Sequence, residues 1–543
     1  MRRCFGLKRI VCDNGHGGAD RRSERTFMSG VLTLSLSTII VKIIGLVYKI
    51  PLLSVLGAEG MGYFNSAYEI YALLCGISTS GLPIAVSMLI SSAREMGDSA
   101  RVGRVFRTSS ALLVTKGVLV SGGLAVFAAP VAKAVGNTDA YLAILAISPA
   151  LLFSCVSGAV RGYFQGCRNM TPTAVCQLLE AVGKLAFGVA FAALAVSMGM
   201  SIPTAAALAV LGVSVGSMAA AVFLVIRKRV ETGGSMKTES RRRAGGHCVL
   251  ELLKISLPIT LGSALMGSTR IIDMALIMRR LGDIGVSSAR ANVVYGSYTT
   301  LAMPIYSLIP AFIPPITESL IPRLSAAVQS GEADEQGRAV SNSMRLTVFL
   351  AVPASMGIAL YSEQILRILF GDQSEAIAIA APLLSVLGAS VLFSCMITTT
   401  TAILQSYRRV IIPILSLAAG AAVKAVSAYF LIGDPDIGTM GAPISTLLFN
   451  ITVLVFNLGA IYKIVPRSSA VLRQLPKPFF AALVAMLASY AVYLPLSNMT
   501  ESNLLSFGAA LATAVTVYFL LAVLLGVVNK DDIAVFGRGK NTE

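Results

Sequence analysis

Apolar residues run along this 543-residue chain in stretches much longer than a soluble helix needs, separated by short polar breaks. A helix that crosses a bilayer takes about 20 mainly apolar residues. Fourteen windows reach that length: 29–53, 63–91, 108–132, 140–164, 172–198, 202–226, 252–278, 292–321, 345–369, 377–403, 411–432, 441–462, 478–497 and 504–528. The pattern predicts an all-α polytopic membrane protein of about 14 transmembrane helices. Windows 63–91 and 292–321 are long and broken by proline, so their ends are the least sharply marked. Residues 1–27 are polar and basic and carry no apolar core before a small-residue cleavage site, unlike a secretory signal peptide. Met28, almost at the first window, is a second candidate for the start of translation.

Composition narrows the class. Residues are 55% hydrophobic and only 13% charged, with a mean hydropathy of +0.77. Soluble domains carry about 25% charged residues, and disordered chains are poor in apolar ones, so both classes are excluded. The formal net charge of +17 invites a nucleic-acid partner, but that needs a clustered basic face on a soluble module. Instead, 31 of the 44 Lys and Arg fall in the two termini and in or at the edge of every second loop, and the intervening loops hold only Arg279, Arg280 and Arg290 besides Lys133 at the end of window 108–132. By the positive-inside rule both termini lie in the cytoplasm of a cell-membrane protein with an even number of spans. The eight cysteines are scattered without a CxxC pair and read as free thiols; Cys4, Cys12 and His16 lack zinc-ligand spacing. No phosphate-binding loop and no histidine-bearing triad is present. A transporter without catalytic residues, cofactor or resident metal is expected, not an enzyme.

The two halves echo each other. Leu152-Phe153-Ser154-Cys155 recurs as Leu392-Phe393-Ser394-Cys395, and the same offset of 240 pairs Gln165 with Gln405, Arg168 with Arg408 and Lys184 with Lys424. Pro83-Ile84 and Ser87 match Pro315-Ile316 and Ser319 at offset 232, and Lys49 matches Arg270 at 221. Offsets that grow along the chain are what unequal loops produce. The expected organisation is a polar segment 1–27, a six-span lobe 28–226, a basic linker 227–250, a second six-span lobe 251–464, two further spans within 465–528 and a tail 529–543. Six spans per lobe make the repeat parallel, with cargo bound between the lobes near the midplane.

An ionisable group at mid-bilayer costs about 2.5–3.5 kcal/mol on insertion scales and marks a functional site by default. Lys42 and Lys49, seven residues apart, share a helical face. Asn65 and Glu69 head a stripe with Ala72 and Gly76, flanked by Tyr68 and Tyr71. Glu180 precedes Lys184 by four residues, and Arg270 precedes Asp273 by three, so each couple reads either as a local ion pair or as part of a cavity. Arg161 reads as a residue reaching for the cytoplasmic interface, Lys116 is isolated, and Gly212 and Gly216 read as helix packing. The cations Lys42, Lys49, Lys184, Arg270 and Lys424 outnumber Glu69, Glu180 and Asp273. Such a cavity suits an anion, a phosphate or pyrophosphate headgroup; an exporter of cationic drugs calls for the opposite balance.

Lys42-Ile-Ile-Gly45-Leu-Val-Tyr-Lys49-Ile-Pro51 with Leu56-Gly57-Ala58-Glu59-Gly60-Met61-Gly62, and Arg161-Gly-Tyr-Phe-Gln165-Gly166 with Met170-Thr-Pro172-Thr-Ala174 and Gln177, resemble stage V sporulation protein B-like polysaccharide transporters. These belong to the multidrug/oligosaccharidyl-lipid/polysaccharide (MOP) flippase superfamily with MurJ-type lipid II flippases. The likeness runs from about Arg25 to Lys463. It implies a monomeric two-lobe flippase that moves a polyprenyl-pyrophosphate-linked glycan, a peptidoglycan precursor or related oligosaccharide, by alternating access among membrane lipids. The membrane potential or a coupled cation would drive it, with Lys42, Lys49 and Arg270 on the pyrophosphate, Lys184 and Lys424 in second rank, and Asn65, Glu69, Glu180 and Asp273 as polar or coupling groups. In MurJ-type proteins the last two spans help form a groove for the lipid tail. MurJ-type proteins also carry a cavity arginine on span 8, where this chain reads Tyr295-Gly-Ser-Tyr298-Thr-Thr and places its interior arginine on span 7. Rivals are a cation-coupled multidrug exporter of the same architecture and a membrane polysaccharide polymerase or glycosyltransferase, the latter disfavoured by outward loops of only about a dozen residues.

Overall fold

The computed structural model describes residues 37, 40–231, 245–314, 317, 324–325, 327–328, 331–371, 373–465, 476–499 and 503–527. The predicted segment 1–27 with Cys4, Cys12 and His16, the first part of window 29–53, the middle of the linker 227–250 and the tail 529–543 lie outside the described residues. Those residues fold as helices and carry no strand.

A helical run at 40–47 leads into α1 (Lys49–Thr79), followed by α2 (Gly81–Glu95), α3 (Ser99–Val126), the short α4 (Ala128–Val135), α5 (Tyr141–Gly166), α6 (Thr171–Ser197) and α7 (Ile202–Glu231). The second half holds α8 (Gly245–Asp283), α9 (Ser288–Ser297), α10 (Met303–Leu308), α11 (Ala333–Leu360), α12 (Ser362–Phe370), α13 (Ser374–Ser406), α14 (Ile411–Ile432) and α15 (Gly441–Ile464). Helices α16 (Pro476–Met499) and α17 (Asn503–Leu524) pack on each other and are the last of the described helices.

Among the described residues twelve helices are long and apolar enough to cross a membrane, not the fourteen expected. Two windows account for the difference. The first window ends inside α1, where Gly57 (φ 66°, ψ 176°) breaks the helix so abruptly that Leu56 and Ala58 belong to successive spans. Only glycine enters that region without steric cost. Window 292–321 stays helical as far as it is described but changes pitch: α9 passes into a π-helical turn at Tyr298–Ala302, then α10, then a 3-10 turn at Ile309–Phe312, with right-handed helical dihedrals at each junction. Pro304, which has no N–H and a ring that crowds the preceding turn, gives the local cause.

The repeat is visible in the backbone. Arg168 and Arg408, offset by 240, are the two non-glycine residues with positive φ among the described residues, both at 58°. Each closes its helix in the same way: Arg168 N–H donates to Gln165 O and Arg408 N–H to Gln405 O, both at 2.9 Å. The following residues, Asn169 and Arg409, donate to Phe164 O and Leu404 O, also at 2.9 Å. Helix α6 lies against α7 through glycines, as Gly212-x-x-x-Gly216 suggests: a Cβ on Gly212 would stand 2.3 Å from Gly188 N, and one on Gly183 would stand 2.7 Å from Gly216 Cα.

The halves meet where α1 crosses α9. A Cβ on Gly62 would lie 2.4 Å from Asn292 O, and one on Gly296 only 1.9 Å from Ala58 O. Beside this crossing, Asn137 Nδ2 donates to Asn292 Oδ1 (2.8 Å) and Ser66 Oγ (3.0 Å), so the buried amides satisfy one another. Within the second half, Lys424 Nζ of α14 donates to Asp273 Oδ2 of α8 at 2.7 Å, with both side chains 4% exposed.

Two outcomes follow from these contacts. Gly296→Ala forces α1 and α9 apart at a cost of about 1–3 kcal/mol or more and is expected to lower the thermal midpoint in detergent, whereas Gly122→Ala, which meets nothing within 4 Å, leaves it unchanged or raises it. Lys424→Met strands a buried carboxylate, a loss of about 3–5 kcal/mol. The double variant Lys424→Met/Asp273→Asn is expected to recover most of that in the same melting measurement.

Candidate functional site

The π-turn does more than bend the chain. In an α-helix Met303 N–H would donate to Thr299 O; here it reaches one residue further back, to Tyr298 O. The next residue, Pro304, has no N–H to give. The carbonyl of Thr299 is thereby left without a main-chain donor, and a buried orphan carbonyl must find another. Lys49 Nζ supplies it from the other half of the molecule, at 2.6 Å. One span further on, the Asn65 amide donates to Thr300 Oγ1 at 2.8 Å. Two predicted site residues are thus anchored on a feature of window 292–321.

Glu69, one turn beyond Asn65, faces Arg270 of α8 at 3.5 Å. The Arg270 side chain is 51% exposed and Glu69 16%. A pair this long and this open contributes no more than about 1 kcal/mol, so the guanidinium is free to change partner. Lys49 lies within electrostatic range of Glu69, Arg270 and Lys184, and Lys42, exposed on the helical run before α1, lies within range of Arg270. Lys42, Lys49, Lys184 and Arg270 therefore share one region around Glu69.

The two couples suggested by helical spacing do not form. Glu180 accepts from Arg161 Nη2 at 3.4 Å and from Ser217 Oγ at 3.3 Å, while Lys184 rests over the rings of Tyr68 (4.1 Å) and Tyr48 (5.0 Å). Arg270 pairs with Glu69, and Asp273 pairs with Lys424. The reason is geometric. An i,i+3 or i,i+4 couple on an exposed helix gains a few tenths of a kcal/mol, whereas a partner from a facing helix also satisfies a charge that would otherwise be buried alone. Arg161, read as an interfacial residue, is part of this network, and Lys116, without a role in the sequence, donates to Ile77 O at 2.8 Å just before the break between α1 and α2.

The repeat-related lysines have diverged. Lys424 is buried and held by a carboxylate; Lys184 is half-buried and held by aromatic faces. Three features escaped the sequence reading: the Thr299 carbonyl, the Tyr48 ring beneath Lys184, and the Asn137–Asn292 contact that closes one end of the site. The first had a local signal in Pro304 following Thr299 and Thr300; the other two join residues distant in sequence.

Comparison with known proteins fits this architecture. Residues 27–328 match the family model described as polysaccharide biosynthesis protein, and residues 185–512 match that of lipid II flippase MurJ, each more than half of the chain. Stage V sporulation protein B of Bacillus subtilis (strain 168) is 24% identical over 527 residues, 95% of this chain and 99% of the relative. Among solved structures, lipid II flippase MurJ in an inward closed conformation aligns with a TM-score of 0.70 at 13% identity, covering 91% of this chain and 98% of that one. An inward-facing multidrug resistance MATE family transporter aligns at 0.63 and 14% identity, covering 82% and 99%. With two overlapping family models spanning the helical region, the chain belongs to the polysaccharide biosynthesis protein family, within the MOP superfamily of flippases.

Proposed function

We propose that this protein flips a polyprenyl-pyrophosphate-linked glycan, a lipid II-like peptidoglycan precursor or a related oligosaccharide, from the cytoplasmic to the outer leaflet. The supporting observation is the gathering of Lys42, Lys49, Lys184 and Arg270 around the carboxylate of Glu69, with Asp273 already committed to Lys424 and Glu180 to Arg161. A pyrophosphate entering there exchanges the weak Glu69–Arg270 contact for charge-assisted hydrogen bonds, which are roughly twice as strong as neutral ones. Lys49 and Arg270 are the primary ligands in this reading, with Lys42 at the entrance and Lys184 in reserve. Lys424 serves instead to pin α14 to α8, and Asn65 holds the π-turn in place. Residues 28–226 and 251–464 act as lobes that rock about the α1–α9 crossing, linked through 227–250, with both termini cytoplasmic and the spans within 465–528 beside the lipid tail. The membrane potential or a coupled cation supplies the driving force.

The likeness to a MATE transporter favours a second reading, a cation-coupled multidrug exporter. It asks for acidic residues to hold an organic cation, and here the cations prevail.

In proteoliposomes with a labelled lipid-linked glycan, Arg270→Ala and Lys49→Ala are each expected to slow flipping by about tenfold or more, the loss of one charged hydrogen bond being about 1.5–3 kcal/mol. Wild-type rates in both variants overturn the site. In the same vesicles no efflux of a cationic dye is expected; efflux that Glu69→Gln abolishes transfers the function to the second reading.

A further inference from the structure

Four aromatic rings run in a row along one wall of the cation cluster. Tyr48 and Phe64 are 6.0 Å apart between centroids, Phe64 and Tyr68 are stacked at 6.1 Å with 14° between planes, and Tyr68 and Tyr71 are 5.8 Å apart. Tyr48, Phe64 and Tyr71 are buried; Tyr68 is the one ring of the row that stays partly open. Tyr71 is further fixed by a 2.8 Å hydrogen bond between its hydroxyl and Ser154 Oγ. The open ring is therefore a rigid shelf, backed by packed neighbours and needing no reorganisation to receive a ligand. Its face carries the Lys184 ammonium at 4.1 Å.

We infer that Tyr68 is the sugar-stacking residue of the cargo site, covered by Lys184 in this structure and uncovered when Lys184 turns to the cargo's phosphate. The inference rests on the pyrophosphate reading given above. A cation on an aromatic face gains about 0.5–2 kcal/mol, depending on how dry the site is. A phosphate within reach offers Lys184 a stronger, charge-assisted contact. The ring that is then bared lies beside Lys184, so it faces one of the two groups attached directly to the pyrophosphate; with the prenyl tail leaving towards the spans within 465–528, as proposed above, that group is the first sugar. The C–H face of a pyranose is flat and apolar, and it packs on an aromatic ring without displacing any hydrogen bond. Tyr68 is thus a positioning and specificity residue that distinguishes glycan-bearing lipid from bare carrier.

The test measures binding to the full chain in nanodiscs of two probes, undecaprenyl pyrophosphate and the same lipid bearing one N-acetylglucosamine. Wild type is expected to bind the sugar-bearing probe about three- to tenfold more tightly, in keeping with an aromatic contact. Tyr68→Leu is expected to remove that increment and leave the bare probe unchanged, while Tyr68→Phe, which keeps the ring, retains it. Lys184→Met is expected to weaken both probes. An increment that survives in Tyr68→Leu, an equal loss for both probes, or no increment in wild type overturns the stacking role while the pyrophosphate reading stands. Failure of wild type to bind the bare probe sinks the pyrophosphate reading, and the stacking role with it.

Discussion

The contact between the Lys49 ammonium and the Thr299 carbonyl organises the centre of this molecule. Neither group is affordable alone in a membrane interior: a lone ammonium costs a few kcal/mol, and a carbonyl without a donor costs about as much. The slip of the Met303 N–H to Tyr298 O creates the second problem, since Pro304 after it has no N–H to offer instead, and Lys49 resolves both. The π-turn and the placement of Asn65 against Thr300 adjoin this one bond across the halves. It also keeps the lysine stem directed into the region that Arg270, Glu69 and Lys184 share.

The ionic contacts fall into two kinds, and their exposure separates them. Asp273–Lys424 is short and dry, a fixed joint whose disruption strands a charge. Glu69–Arg270 is long and wet, a contact with little free energy to lose. The proposed mechanism uses both: joints that keep each half rigid as it moves, and loose charges that trade partners with cargo. The glycine crossings belong with the joints, since α6 with α7 and α1 with α9 approach so closely that even a methyl group has no room.

Much of the fold was legible in the sequence because a bilayer imposes a length on each helix, and twelve of the described helices meet it. The repeat was legible through matched residues, and the equal φ of Arg168 and Arg408 is its three-dimensional counterpart. That several of the charges within apolar windows would gather in one region was legible too, and Lys42, Lys49, Lys184 and Arg270 do lie near Glu69. The pairing was not. Helical spacing pointed Glu180 at Lys184 and Arg270 at Asp273, but the partners taken up were Arg161, Glu69 and Lys424, from other helices. Local periodicity carries no information about which helices face each other. The change of pitch in window 292–321 was half-legible: proline marked the position, but not that the slip would liberate a carbonyl rather than merely kink the chain.

The separation of Lys49 from Thr299 by 250 residues has a biosynthetic consequence. Chains are synthesised at about 5–20 residues per second, so roughly 12–50 s elapse between the two residues leaving the ribosome. Through that interval the first half sits in the bilayer with Lys49 and Asn65 lacking the acceptors that later receive them. Those polar groups must be kept hydrated or lodged against the insertion machinery until the π-turn arrives. The late-emerging half is thus both a lobe of the transporter and the element that completes the burial of the first, and a chain truncated before Thr299 leaves its earlier spans with an unmet electrostatic debt.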